Sequence, residues 1–204
     1  IALDIVRRLA GDIEQQVRTA AETPEGVAEV LTPGFETILN RSFANAGDVS
    51  WELDGKDREV GVVRMTGVLH NNTHGEEVPV AWLYPNDWNG KVVIWLDDAG
   101  SEAAAIEPTA AIKSLIAEGT AVVAADLFHA RNAVAGDDGL SRQRKVENPR
   151  EFAGYTYGYN DPAAVRSVHD VLTILSFLRN TEVEGHPKPS HIGLVGFGDM
   201  ASVA

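Results

Sequence analysis

The residues Ser190-His191-Ile192-Gly193-Leu194-Val195-Gly196-Phe197-Gly198-Asp199-Met200-Ala201 have the spacing that most clearly could do chemistry. A short apolar run meets a glycine-bracketed turn, and small residues that could open a helix follow. That is the outline of a strand–turn–helix elbow, which lifts a nucleophile to the top of an α/β sheet. Counted from Gly196 in a G-x-S-x-G frame, the nucleophile position is Gly198, which has no side chain to attack a carbonyl. A frame shifted by one residue makes the Asp199 carboxylate the nucleophile. It also leaves Phe197 two positions earlier, where a small residue normally relieves the turn. Ser101 and Ser202 offer hydroxyls, but neither sits at an elbow. On a purely structural reading, Gly196 and Gly198 allow a tight strand-to-helix turn, and Asp199 is favoured near a helix N-terminus by its dipole.

Other constellations are weaker. His70 and His74, with acids nearby, share one face only on a helix, and Asn71-Asn72-Thr73 before Gly75 is loop composition. A solvated loop is therefore expected there, with no metal. His169 and Asp170 fall inside a helix and are expected to be structural or surface residues, because acid–base work needs a substrate within reach. Tyr157 and Tyr159, with Tyr155, alternate through a long stretch without a strong period and either line a binding pocket or pack down the loop. Gly193, Gly196 and Gly198 follow a strand, but Ala201 replaces the last glycine of a dinucleotide fingerprint. No cofactor is expected.

Strongly patterned elements must position the elbow. Lys91–Leu96 and Thr120–Ala125 are continuous apolar runs of the kind buried on both faces of a parallel sheet. The helix expected over about 108–118, ended by Gly119, joins them as a right-handed βαβ unit. Upstream, Val60–Leu69 and Val78–Tyr84 read as a β-hairpin with a polar tip at 70–77. Downstream, Asp161 and Pro162 open a helix in which Val165, Val168, Leu172 and Leu175 form an apolar face. Residues 1–20 read as an amphipathic helix, a second helical piece spans about 24–31, and Pro33-Gly34 is expected to end it. The division expected is a helical appendage over 1–45 and an α/β domain over 46–204.

The chain has 204 residues, a formal charge of −13, 44% hydrophobic residues and no cysteine. That charge argues against nucleic acid and anionic membrane surfaces as partners. The lack of cysteine excludes disulfides and thiolate catalysis. No apolar run approaches the roughly 20 residues of a membrane helix. The sequence begins at Ile1 without a signal peptide, so a removed leader or a fragment is expected, with a fragment favoured.

Val78-Pro79-Val80-Ala81-Trp82-Leu83-Tyr84-Pro85, Trp88-Asn89-Gly90-Lys91-Val92-Val93-Ile94-Trp95, and Tyr157-Gly158-Tyr159-Asn160 with the Val168-His169-Asp170-Val171-Leu172 helix together resemble bacterial α/β-hydrolases of the acetyl-xylan-esterase-like group. The likeness covers about residues 45–204. It implies a three-layer α/β-hydrolase-like sandwich with a mostly parallel sheet, and a Ser-His-Asp triad cleaving carboxylic esters on carbohydrates. The oxyanion amides it implies are those of Asp98-Ala99-Gly100 and of Asp199. The acid and histidine of the triad would lie beyond Ala204, and a further chain segment or another polypeptide would cover the elbow strand. The shifted Asp199 frame resembles haloalkane dehalogenases and epoxide hydrolases. The resemblance also implies a soluble, exported protein. Three readings follow: an incomplete or degenerate carboxylic-ester hydrolase, a non-catalytic binding or packing module, and an Asp-nucleophile hydrolase.

Overall fold

The structure, a computed structural model, describes residues 2–106, 108–128, 161–180 and 187–204. The chain divides into two compact units, residues 1–42 and 43–204. In the first, helix α1 (Ala2–Ala20) has an Arg18–Glu14 ion pair one turn apart at 2.6 Å. Thr23 caps α2 (Pro24–Gly26), its Oγ1 accepting from the Gly26 N–H at 3.0 Å. A π-helical turn then leads into α3 (Thr32–Leu39). Pro33-Gly34 thus sits inside the first turn of a helix and does not end one. The helix runs on from the π-helical turn, with the Thr32 N–H bonded to the Val27 carbonyl, and Pro33 removes only the next amide donor.

The second unit is built on a mixed six-stranded sheet in the order β1-β2-β3-β5-β4-β6. Its strands are β1 (Val49–Glu59), β2 (Val62–Asn71), β3 (Glu76–Pro85), β4 (Lys91–Leu96), β5 (Ala121–Ala125) and β6 (His191–Gly196). Pairing is antiparallel from β1 through β3 to β5, and parallel from β5 to β4 and from β4 to β6. The expected hairpin is therefore a three-stranded antiparallel meander feeding a parallel half. Val60 belongs to the exposed β1–β2 turn, where Gly61 takes φ +84°.

The apolar strands bury both faces, as continuous hydrophobic runs must. On β5, Ala121, Val123 and Ala125 join one core, while Val122 and Ala124 join the other. The first core lies under α6 (Ala163–Asn180), which contributes Val171, Ile174, Phe177 and Leu178. The second lies under α4 (Glu102–Ala105) and α5 (Ala110–Ala117), which contribute Ala103, Ala104 and Ile112. Helices on both faces of one sheet make a three-layer sandwich. Thr109 starts α5 by accepting from the Ile112 N–H at 3.3 Å.

The meander is fastened to α6 by polar bonds. Asn71, fully buried, donates to the Ala46 carbonyl at 2.8 Å and to Thr173 Oγ1 at 2.9 Å, and its Oδ1 accepts from the His74 N–H at 3.2 Å. Ser176 Oγ donates to the Gly47 carbonyl at 2.6 Å. No described helix is long and apolar enough to cross a membrane.

Candidate functional site

Parallel register puts the elbow where a sheet of this kind binds ligands. Lys91 pairs with His191 and Leu96 with Gly196, so β4 and β6 end together. The Phe197 N–H donates to the Leu96 carbonyl at 2.9 Å, carrying the ladder one residue further. From β4 the chain runs to β5 on one side and then returns to β6 on the other. The C-terminal ends of β4 and β6 therefore flank a topological switch point, the usual ligand crevice of α/β sheets.

At that end β6 turns through Phe197 into a 3-10 helix, Gly198–Ser202. Gly198 has φ +58°, a left-handed conformation that L side chains rarely adopt. The apex of the elbow is thus residue 198 and not Asp199. Gly196, two positions earlier, sits where a Cβ would come within 2.8 Å of the Met200 carbonyl oxygen and 2.9 Å of Ala201 Cα. The turn is tight enough to require glycine there. Met200 packs into the core below.

Beside the elbow lies the corner after β4. The Asp97 carboxylate organises it, accepting from Trp95 Nε1 at 2.6 Å and from the Ala99 N–H at 2.9 Å. The Gly100 N–H donates to the Asp97 carbonyl at 3.1 Å. The amides of Ala99 and Gly100, expected as oxyanion donors, are thus both engaged within their own turn. Asp199 is the second residue of the 3-10 helix, whose first hydrogen bond is Met200 N–H to the Phe197 carbonyl at 3.1 Å, so its N–H precedes that ladder. Asp98 turns towards the elbow, with its Oδ2 and Oδ1 3.4 and 3.6 Å from the point a Cβ on Gly198 would occupy.

The neighbouring strand end is tied in by Asp126. Its two carboxylate oxygens each accept at 2.8 Å, one from the Ser101 N–H and the other from Ser101 Oγ. Ser101 is therefore a structural clamp between β5 and α4. Ser202 Oγ donates to the Asp199 carbonyl at 2.9 Å, within the 3-10 helix. Trp95 and Phe197 pack with ring centroids 4.6 Å apart and planes tilted by 36°, and Phe197 is 45% exposed at the lip.

The other sequence candidates fall away from this corner or outside the described residues. Tyr157 and Tyr159 lie outside them. His70 sits on β2 between the carboxylates of Glu52 (3.0 Å) and Glu77 (3.4 Å), and His74 Nε2 meets the Asn45 carbonyl at 3.0 Å. Among the described residues, no group of three or more His, Asp or Glu could hold a metal ion. His169 and Asp170 are buried on α6: Asp170 Oδ2 accepts from the Phe128 N–H at 2.7 Å, and His169 Nδ1 lies 3.8 Å from Glu76. Arg166 reaches the same Glu76 at 3.3 Å and lies over the Phe128 ring at 5.5 Å. Sequence reasoning missed the part played by Asp97 and Asp98. The signal was two consecutive carboxylates directly after a buried strand.

The chain matches no protein-family model and no curated protein sequence. Among solved structures, it is similar to a Bacteroides fragilis protein assigned as an acetyl xylan esterase, with TM-score 0.53 and 12% identity over 83% of this chain and 46% of that one. It is also similar to acetyl xylan esterase 1 from Thermoanaerobacterium sp. JW/SL YS485, with TM-score 0.50 and 11% identity over 84% of this chain and 51% of that one. The chain spans about half the length of these structures. At such identities the likeness shows the fold, and the fold of this chain is α/β-hydrolase-like.

Proposed function

We propose that this chain is a module of carboxylic-ester-hydrolase type, of the kind that handles acetylated carbohydrate, whose own elbow has lost its nucleophile. It holds a small-molecule or carbohydrate ligand at the C-terminal ends of β4 and β6 and does not cleave it through an acyl-enzyme. One observation carries this reading: Gly198 occupies the apex of the elbow at φ +58°. Nucleophilic ester cleavage needs a side-chain oxygen or sulfur at that apex. Neither nearby hydroxyl replaces it, since Ser101 is bound to Asp126 and Ser202 to the Asp199 carbonyl. The Asp-nucleophile reading has less support, because the left-handed residue is 198 and Asp199 lies one step into the helix.

Hydrolysis of p-nitrophenyl acetate by the purified chain tests the proposal. The expected result is release no faster than in buffer. Saturable turnover that survives repurification would overturn it.

A further inference from the structure

The first unit leaves one helix face bare. On α1, Leu3, Ile5, Val6, Leu9, Ile13 and Val17 spread over about 160° of the circumference, at ~100° per residue, as wide as a face that packs against a neighbour. The first five are 54–61% exposed. One flank of this face is taken by the unit itself. The chain after α1 folds back beside it, with Gly26 against Ala20 and a groove lined by Asp12, Gln16, Thr19 and Glu29. The opposite flank carries Arg7 and Glu14, both exposed and about two turns apart on the same side of the helix.

Charge narrows what can cover the face. Asp4, Asp12 and Glu14 balance Arg7, Arg8 and Arg18, so α1 is neutral within a chain of charge −13. Helices that lie on lipid carry a Lys/Arg-rich polar face and favour anionic headgroups. This helix has no lysine and no tryptophan, and its acidic chain is repelled by such a surface. A second copy of the same neutral helix meets no such penalty. Leu3, Val6, Ala10, Ile13 and Val17 also follow alternating three- and four-residue steps, the spacing by which two helices interlock.

We propose that α1 is a self-association surface on which a second copy of this chain lays its own α1 antiparallel. A two-fold axis through the middle of the helix sets the open flank of one copy against the same flank of the other. Arg7 of each copy then lies across from Glu14 of the other, giving two opposite-charge contacts. The Arg18–Glu14 pair within each helix is exposed and need not break, since a carboxylate accepts from two guanidinium groups. Parallel pairing would instead set the open flank against the one already filled by the unit. The inference is independent of what the elbow binds.

Sedimentation equilibrium of the full chain at about 0.15 M salt is the test. The parent is expected to pass from monomer to dimer as its concentration rises. Ile13→Glu puts a charge in the middle of the face and is expected to abolish the dimer. Its thermal unfolding should match the parent's at concentrations where the parent is dissociated, because the side chain is exposed. Arg7→Glu and Glu14→Arg alone each set like charges opposite and should weaken association about tenfold, the scale of two exposed ion pairs reversed. Combining the two substitutions should restore it. A parent that is monomeric at every concentration overturns the proposal. So does a destabilised Ile13→Glu monomer, which would mean that the chain covers this face itself. A double variant that associates no more tightly than the single ones overturns the antiparallel pairing and the proposal with it.

Discussion

Gly198 and Asp98 face each other across the switch point between β4 and β6, with an Asp98 carboxylate oxygen 3.4 Å from the empty Cβ position of Gly198. The two residues lie a hundred positions apart in sequence and meet because Leu96 and Gly196 are register partners. The corner of an ester hydrolase offers a nucleophile and amide donors. Here a glycine and a carboxylate stand in that place, and Asp97 has taken up the Ala99 amide. This pairing underlies the reading of the chain as a scaffold that binds without cleaving.

The two elbow glycines should differ in their reasons for being glycine. Gly198→Ala places a Cβ in ordinary contact with Asp98, so its cost is that of the left-handed backbone, about 1–2 kcal/mol. Gly196→Ala drives a Cβ against the Met200 carbonyl and Ala201 Cα, for which about 1–3 kcal/mol is expected, with the 3-10 helix displaced. Urea denaturation of both variants checks the magnitudes. A Gly196→Ala chain as stable as the parent would contradict the tight turn.

Asn71→Ala should cost about 1–3 kcal/mol, because it strands the buried Ala46 carbonyl and takes the partner from Thr173. Hydrogen exchange is the discriminating readout. Protection should fall first around 43–48 and 71–75, the segments this side chain fastens.

Phe177→Ala should cost about 3–5 kcal/mol and flatten the near-ultraviolet circular dichroism. Its ring lies 6.4 Å from Trp51 and 6.0 Å from Trp82, bridging α6 to the meander. Retention of the aromatic signal would show that the two tryptophans pack without it.

The fold was legible wherever burial imposed a pattern. Val92–Leu96 and Ala121–Ala125 are buried on both faces, so their sequences are continuously apolar and read directly as inner strands. Strand β1 was harder to see. It pairs only with β2 among the described strands, exposes most of Glu52–Glu59 and shifts register between Leu53 and Gly55, so its alternation is lost in charged residues. The elbow glycines were visible, because the tight turn leaves a local signature. Asp98 was not, because its significance depends on a partner at position 198 that only the sheet register supplies.

Burial beside Trp88, at a ring separation of 5.2 Å, pushes the Tyr84 hydroxyl up to about 12 from 10.0. The folded chain therefore keeps this proton where the unfolded chain has lost it. The sign follows: the contribution to stability is intact below pH 10 and is lost as pH rises from there through about 12. Ultraviolet titration should show a tyrosine step near 12 that belongs to Tyr84. A Tyr84→Phe variant that still shows the late step would contradict the assignment.

The central claim is that no group at the elbow forms a covalent bond to an acyl or phosphoryl centre. Intact mass spectrometry after exposure to diethyl p-nitrophenyl phosphate tests it most directly, with peptide mapping across 97–106 and 190–204. The account expects no phosphorylated species above that of the denatured chain. Stoichiometric labelling within 196–202, or at Ser101, would contradict it.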